Sequence, residues 1–214
     1  MKNNNSCFLV SVLFFALFSI TLPACGGGTG NPGSEGLDKT WGIITAEIMP
    51  GVEVSDYKNF AAQGRSVDVF QNHDCDGNPE SNDPELFTEH PARVNITLTP
   101  SNDNIPTAEH IIEGYRIDYT TETPGAPPIQ SFTSGSQTIV LKPDTETSFY
   151  VVMVDISRKI KLAEDLTYGQ YQPQYQYPTY TAIYTFYGKD IHGNSFQTVV
   201  QTNFDVGDYD YCSL

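Results

Sequence analysis

The sequence predicts an all-β fold, two antiparallel sheets packed as a sandwich with one short helix. Three observations predict it. Apolar residues recur with period 2 in stretch after stretch; turn signals separate these stretches; and only one segment repeats with helical spacing. Gly42–Met49 and Ser66–Gln71 are the first strand candidates. Val94, Ile96 and Leu98 then alternate with Arg93, Asn95, Thr97 and Thr99, and Tyr115, Ile117 and Tyr119 alternate with Arg116, Asp118 and Thr120. Ile129–Phe132 and Thr138–Lys142 are short candidates. Phe149, Val151 and Met153 alternate with Tyr150, Val152 and Val154, and Tyr180–Tyr187 continues the series. The last strand has Phe196, Thr198, Val200, Thr202 and Phe204 on one face. Such alternation describes half-buried strands of antiparallel sheet. Pro124-Gly125, Lys142-Pro143-Asp144 and His192-Gly193-Asn194 supply the turns. Ser157–Leu166 alone is helical, with Ile160, Ala163 and Leu166 three residues apart as its expected apolar face.

The N-terminus has another character. Lys2 precedes a run of thirteen residues, Phe8–Ile20, that is too short to span a bilayer core of about 30 Å. A charged start, a short apolar core and small residues before a cut describe a secretory signal over residues 1–24. Leu22-Pro23-Ala24-Cys25 resembles the lipobox of bacterial lipoproteins. The resemblance implies cleavage before Cys25, lipid on its thiol and amino group, and a lipid-anchored protein of the cell envelope. Gly26 after the cysteine, rather than Asp, implies passage to the outer membrane. Stable attachment takes two or more lipid signals, which a diacylglyceryl group plus an N-acyl chain meets. Residues 25–40 form the tether: six of the eleven residues Gly26–Gly36 are glycine, a flexible coil spanning about 20 Å. Residues 41–214 are expected to form a single sandwich domain.

Charge narrows the partners. The chain has 26 acidic and 11 basic residues, a net charge of −15. That argues against nucleic acid and anionic lipid surfaces, whose phosphates need Lys and Arg. With Cys25 taken by lipid, Cys75 and Cys212 remain in an oxidising compartment, and a disulfide between them is expected. Closing so long a loop stabilises by about 4–5 kcal/mol in the chain-entropy view.

Gly114-Tyr115-Arg116-Ile117-Asp118-Tyr119 resembles the third strand of a fibronectin type III domain. Leu141–Glu146 followed by Phe149–Val152 is similar to its turn into the next long strand, and Tyr187–Ser195 to the final hairpin of bacterial immunoglobulin-like domains. Thr147 stands where type III domains carry a corner tyrosine. The resemblance therefore implies an immunoglobulin-like sandwich in the broader sense.

Two segments are candidates for binding. Asp74, Asp76, Asn78, Glu80, Asn82 and Glu85 place oxygen donors at positions 1, 3, 5, 7, 9 and 12 of one loop. That spacing suits calcium, although Pro79 replaces the glycine that an EF-hand turn needs, so the geometry differs. The alternative is a solvated acidic loop strapped at Cys75. Between Thr167 and Tyr180 five tyrosines alternate with Gln, Gly and Pro, and Tyr171, Tyr175 and Tyr177 are the rings expected to meet a sugar face or a protein. The alternative is that these rings cover a sheet edge. The four histidines, His73, His90, His110 and His192, read as exposed members of separate loops. No nucleophile elbow or phosphate-cradling loop is present. The expectation is a non-catalytic envelope module, without a cofactor unless calcium binds, whose partner is an envelope protein or a polysaccharide. A calcium-dependent adhesive protein is the second expectation and a glycan-acting enzyme the third.

Overall fold

The structure is a computed structural model that describes residues 34–37 (backbone), 42–51, 64–70, 87–101, 106–135, 137–169, 171–173 and 177–209. Two sheets form it. The first contains β1 (Ser34–Leu37), β2 (Gly42–Pro50), β4 (His90–Pro100) and β8 (Glu146–Val154), in the order β1-β2-β4-β8, with every pair antiparallel. The second runs from β3 (Ser66–Asp68) through β10 (Ser195–Gly207) and β9 (Thr179–Asp190) to β5 (His110–Thr121), and it curls into a half-barrel. Two short strands, β6 (Phe132–Ser134) and β7 (Ile139–Leu141), share the outer edge of β5. β3 pairs parallel with β10, whereas the other ladders between the described strands are antiparallel. Among the described residues one helix, α1 (Ile156–Thr167), carries the chain from β8 across to β9.

The long strands expected from alternation are present, with their expected faces inward, whereas the candidate Ile129–Phe132 is displaced: its strand is Phe132–Ser134, and Ile129–Ser131 lie in the loop before it. Val94, Ile96, Leu98, Ile117, Val200 and Phe204 are buried in one core. β1 departs from expectation. The sequence places a flexible tether over residues 25–40, yet Ser34–Leu37 pairs with Ile43–Ala46. Glycine there weakens a strand but does not stop a main chain from pairing.

Aromatic rings fill the middle of the sandwich. Tyr115 lies 6.1 Å from Tyr184 and 5.7 Å from Phe186, and Phe149 of the opposite sheet meets Phe186 edge-on at 5.7 Å. Each buried phenol needs a partner for its hydroxyl, since an unpaired one costs about 1–3 kcal/mol. Pro91 supplies the partners indirectly. Having no N–H, it cannot donate to β8, and the β4–β8 ladder skips Met153 at this point. The freed main-chain groups of β8 meet tyrosines from the other sheet. Tyr119 Oη donates to the Met153 carbonyl at 2.6 Å, Tyr184 Oη to the Val152 carbonyl at 3.4 Å, and the Val152 N–H donates to Tyr115 Oη at 3.2 Å. Burial raises the pKa of all three phenols, so they stay protonated.

Gly188 permits the β5–β9 pairing. A Cβ there would lie 1.9 Å from the Ile111 carbonyl oxygen, so no side chain fits. At Gly114, beside the ladder irregularity between Ile112 and Gly114, a Cβ would fall 2.5 Å from Tyr187 Oη.

α1 starts where expected but is rotated. Leu162, Lys159 and Asp165 are buried, Ala163 and Leu166 pack partly on the core, and Ile160 is 48% exposed, contrary to the expected face. The rotation follows from the first turn. Asp155 caps it by accepting from Arg158 N at 2.9 Å. The Arg158 guanidinium also pairs with Asp155, and it donates to the carbonyls of Gln130 and Ser131, each at 2.7 Å, beneath the ring of Phe132. With three donors engaged and the ring above, the helix cannot turn Ile160 inward.

Tyr119→Phe should lower unfolding free energy by about 1–2 kcal/mol, because the Met153 carbonyl is left unpaired. Tyr184→Phe, which breaks a longer bond, should cost less. Urea unfolding of both variants measures the difference, and equal costs would contradict this assignment of partners.

Candidate functional site

Rings gather at the α1 end of the second sheet. Tyr177 and Tyr209 stack with centroids 5.2 Å apart and planes 27° from parallel. Both sit on Gly207, whose missing Cβ would fall 2.1 Å from Tyr177 Cδ1 and 3.3 Å from Tyr209 Cε2. Glycine thus makes the seat: any side chain on this outward position of β10 would lift the rings. The Asp68 carboxylate beside it accepts from the main-chain N–H of Phe70 at 3.1 Å and of Tyr209 at 3.2 Å, which ties the end of β3 to the segment after β10. Thr179 Oγ1 donates to Asp205 at 2.7 Å, and Val206 N–H to the Pro178 carbonyl at 3.0 Å. Burial raises the pKa of Tyr209, against a hydrogen bond with Ser66. The result is a pair of amphipathic rings held from below, with Tyr177 41% exposed above.

One ring of the tyrosine-rich stretch thus stacks on a ring from outside it. Tyr177 lies at this corner. Tyr171 is half-buried in the loop before it, and Tyr175 lies outside the described residues. Tyr209 was not anticipated, because its neighbours carry no alternation that would mark it. Cys25, Cys75, Cys212, Asp74, Asp76, Asn78, Glu80, Asn82 and Glu85 also lie outside the described residues. Among the described residues no three His, Cys, Asp or Glu side chains come together as a metal site.

The histidines correct an expectation. His90 and His110 are not exposed loop residues; they open β4 and β5 and are buried. His110 Nδ1 lies 2.8 Å from the Ala108 carbonyl, with its ring 5.0 Å from Phe196. His90 Nε2 lies 3.1 Å from the Gly64 carbonyl, which makes it the protonated nitrogen of a neutral ring. Burial pushes its pKa down to about 4; the hydrogen bond to Gly64 opposes this, and the charge on buried Lys159 adds to it. Lys159 covers the ring of Phe87 at 5.1 Å. His192 is exposed, in the turn between β9 and β10. That turn is closed by Asp190, which accepts from His192 N, Asn194 N and Asn194 Nδ2 at 2.7–2.9 Å. Burial alone would raise the Asp190 pKa, but these bonds hold it below the usual carboxylate range.

Comparison with protein-family models, with curated proteins and with solved structures gives no match.

Two outcomes follow. The depressed pKa of His90 means that the unfolded chain binds a proton between pH 6.5 and about 4 that the folded chain does not. Stability is full above pH 6.5 and should fall by about 3 kcal/mol as pH drops through that window. His90→Gln keeps a donor for Gly64 without the titration, so its unfolding free energy should lack this component of the slope. Gly207→Ala should displace Tyr177 and separate the two rings while the fold survives, since a half-exposed ring can swing away. Loss of the nuclear Overhauser contacts between Tyr177 and Tyr209 would register it.

Proposed function

We propose that this chain is a non-catalytic, lipid-anchored module of the cell envelope that binds through the tyrosine corner of its second sheet. The observation that carries the reading is the Tyr177–Tyr209 pair seated on Gly207. Rings whose positions are set before a partner arrives lose little conformational freedom on binding, which favours recognition. The fold is read as immunoglobulin-like. The order β2-β4-β8 facing β10-β9-β5 supports this, because it corresponds to the A-B-E and G-F-C sheets of that architecture. Cys25, behind its signal and lipobox, is read as the lipidated residue, with Gly26 directing the protein to the outer membrane. An envelope protein or a polysaccharide is the partner class.

Growth with radiolabelled palmitate tests the anchor. The wild-type chain should incorporate label and partition into detergent, and Cys25→Ser should do neither. An unlabelled wild-type chain would overturn the lipoprotein reading.

A further inference from the structure

The outer face of the second sheet carries more than the ring pair. Along β9 and β10, between the Tyr177–Tyr209 pair at one end and Tyr187 at the other, the outward residues are Thr179, Thr181, Ile183 and Thr185 facing Asp205, Asn203, Gln201 and Val199. Among them Asp205 alone is charged, in a chain with 26 acidic residues. Tyr187 matches the far end in construction. Its phenol occupies the space that a Cβ of Gly114 would fill, and its hydroxyl donates to the Ser134 carbonyl at 3.3 Å. Each end of the strip is thus an aromatic group laid on a strand glycine. From Gln197, paired with Tyr187, to Gly207 is ten residues, or about 33 Å at about 3.3 Å each.

We propose that this strip is a docking surface for a neutral polysaccharide chain running along β9 and β10. The inference rests on the reading of the protein as a binding module and names its ligand class. Charge selects the occupant. A polyanion would be repelled by the net charge of −15. A basic partner finds one carboxylate on the strip, Asp205 at its end, which already accepts from Thr179; Asp118, on neighbouring β5, is paired with Arg116 and Ser131. Amide and hydroxyl side chains both donate and accept, as sugar hydroxyls do, and tyrosine rings offer the flat faces on which pyranose C–H surfaces rest. Size argues against a second copy. Two strands about 10 Å across and about 33 Å long cover about 300 Å² per partner, against the roughly 800 Å² of a standard interface.

The test is native affinity electrophoresis of the full chain in mild detergent, through gels containing mixed-linkage β-glucan, galactomannan, arabinoxylan or dextran, with polygalacturonate as the anionic contrast. Retardation is expected in at least one neutral gel and not in polygalacturonate. Thr185→Glu and Gln201→Glu, both at outward positions, should raise the apparent dissociation constant at least about tenfold by placing a charge beneath the ligand that binding must strip of water. Tyr177→Ala should weaken binding severalfold, and circular dichroism melting confirms that each variant folds. The inference is overturned if no neutral gel retards the wild type, if both glutamate variants migrate as it does, or if concentration-dependent migration abolished by Thr185→Glu assigns the face to a second copy. Failure here with palmitate incorporated leaves the anchored module standing; retardation without palmitate removes the anchor and leaves the strip.

Discussion

A tyrosine in a protein interior brings a hydroxyl to a place without water, and the arrangement of both sheets answers to that constraint. Tyr115, Tyr119 and Tyr184 all rise from the second sheet, and all three find main-chain partners at the same spot, where β8 bulges past Pro91. The proline removes a donor from the first sheet, and the bulge turns β8 groups toward the core. The phenols of the second sheet take the places that a regular ladder would have filled. Polar satisfaction, not apolar burial alone, therefore sets the register between the layers. Tyr180 follows the same rule at the α1 end, stacking on Phe204 and donating to the Pro127 carbonyl at 2.8 Å. Thr198 Oγ1 departs from it: it is buried without a partner among the described residues.

The α1 end is where the fold positions its candidate site. Arg158 clasps the loop leading into β6, Asp155 caps the helix, and the chain after α1 returns past Tyr177 into β9. The ring pair lies where β3, β10 and that returning segment meet. Its rigidity comes from main-chain bonds to Asp68 and from the glycine beneath it, not from the helix itself. Fold alone implies no function, so the weight rests on this local construction.

Much of the architecture was legible because period 2 survives wherever one face of a sheet is buried. The rows of β4, β5, β8 and β10 could be read residue by residue. β9 was read short, ending at Tyr187, because Gly188 has no side chain to continue the alternation, although only glycine fits there. The rotation of α1 was misread because hydrophobic spacing favoured Ile160, whereas the forked bonds of Arg158 to distant carbonyls decide it. His90 and His110 read as loop residues because Glu89 and Pro91 around the first, and Glu109 with the unalternating Ile111-Ile112 around the second, give no period-2 pattern, and their carbonyl partners are visible only in three dimensions. Of the corner, Tyr177 was legible as part of a tyrosine-rich stretch. Tyr209 and Gly207 were not, because their meaning lies in a contact across the sheet.

The Asp190 turn also bears on how this chain finds its shape. β9 and β10 pair over eleven successive rungs, from Ser195 with Lys189 out to Asp205 with Thr179, around a turn whose donors one carboxylate gathers. The long pairings of β5 with β9 and of β4 with β8 must each bring together residues far more distant in sequence. Loop-closure entropy is accordingly smaller at this hairpin than at either of those ladders, so the ladder that carries Tyr184 and Phe186 is a long one that local contacts alone can zip.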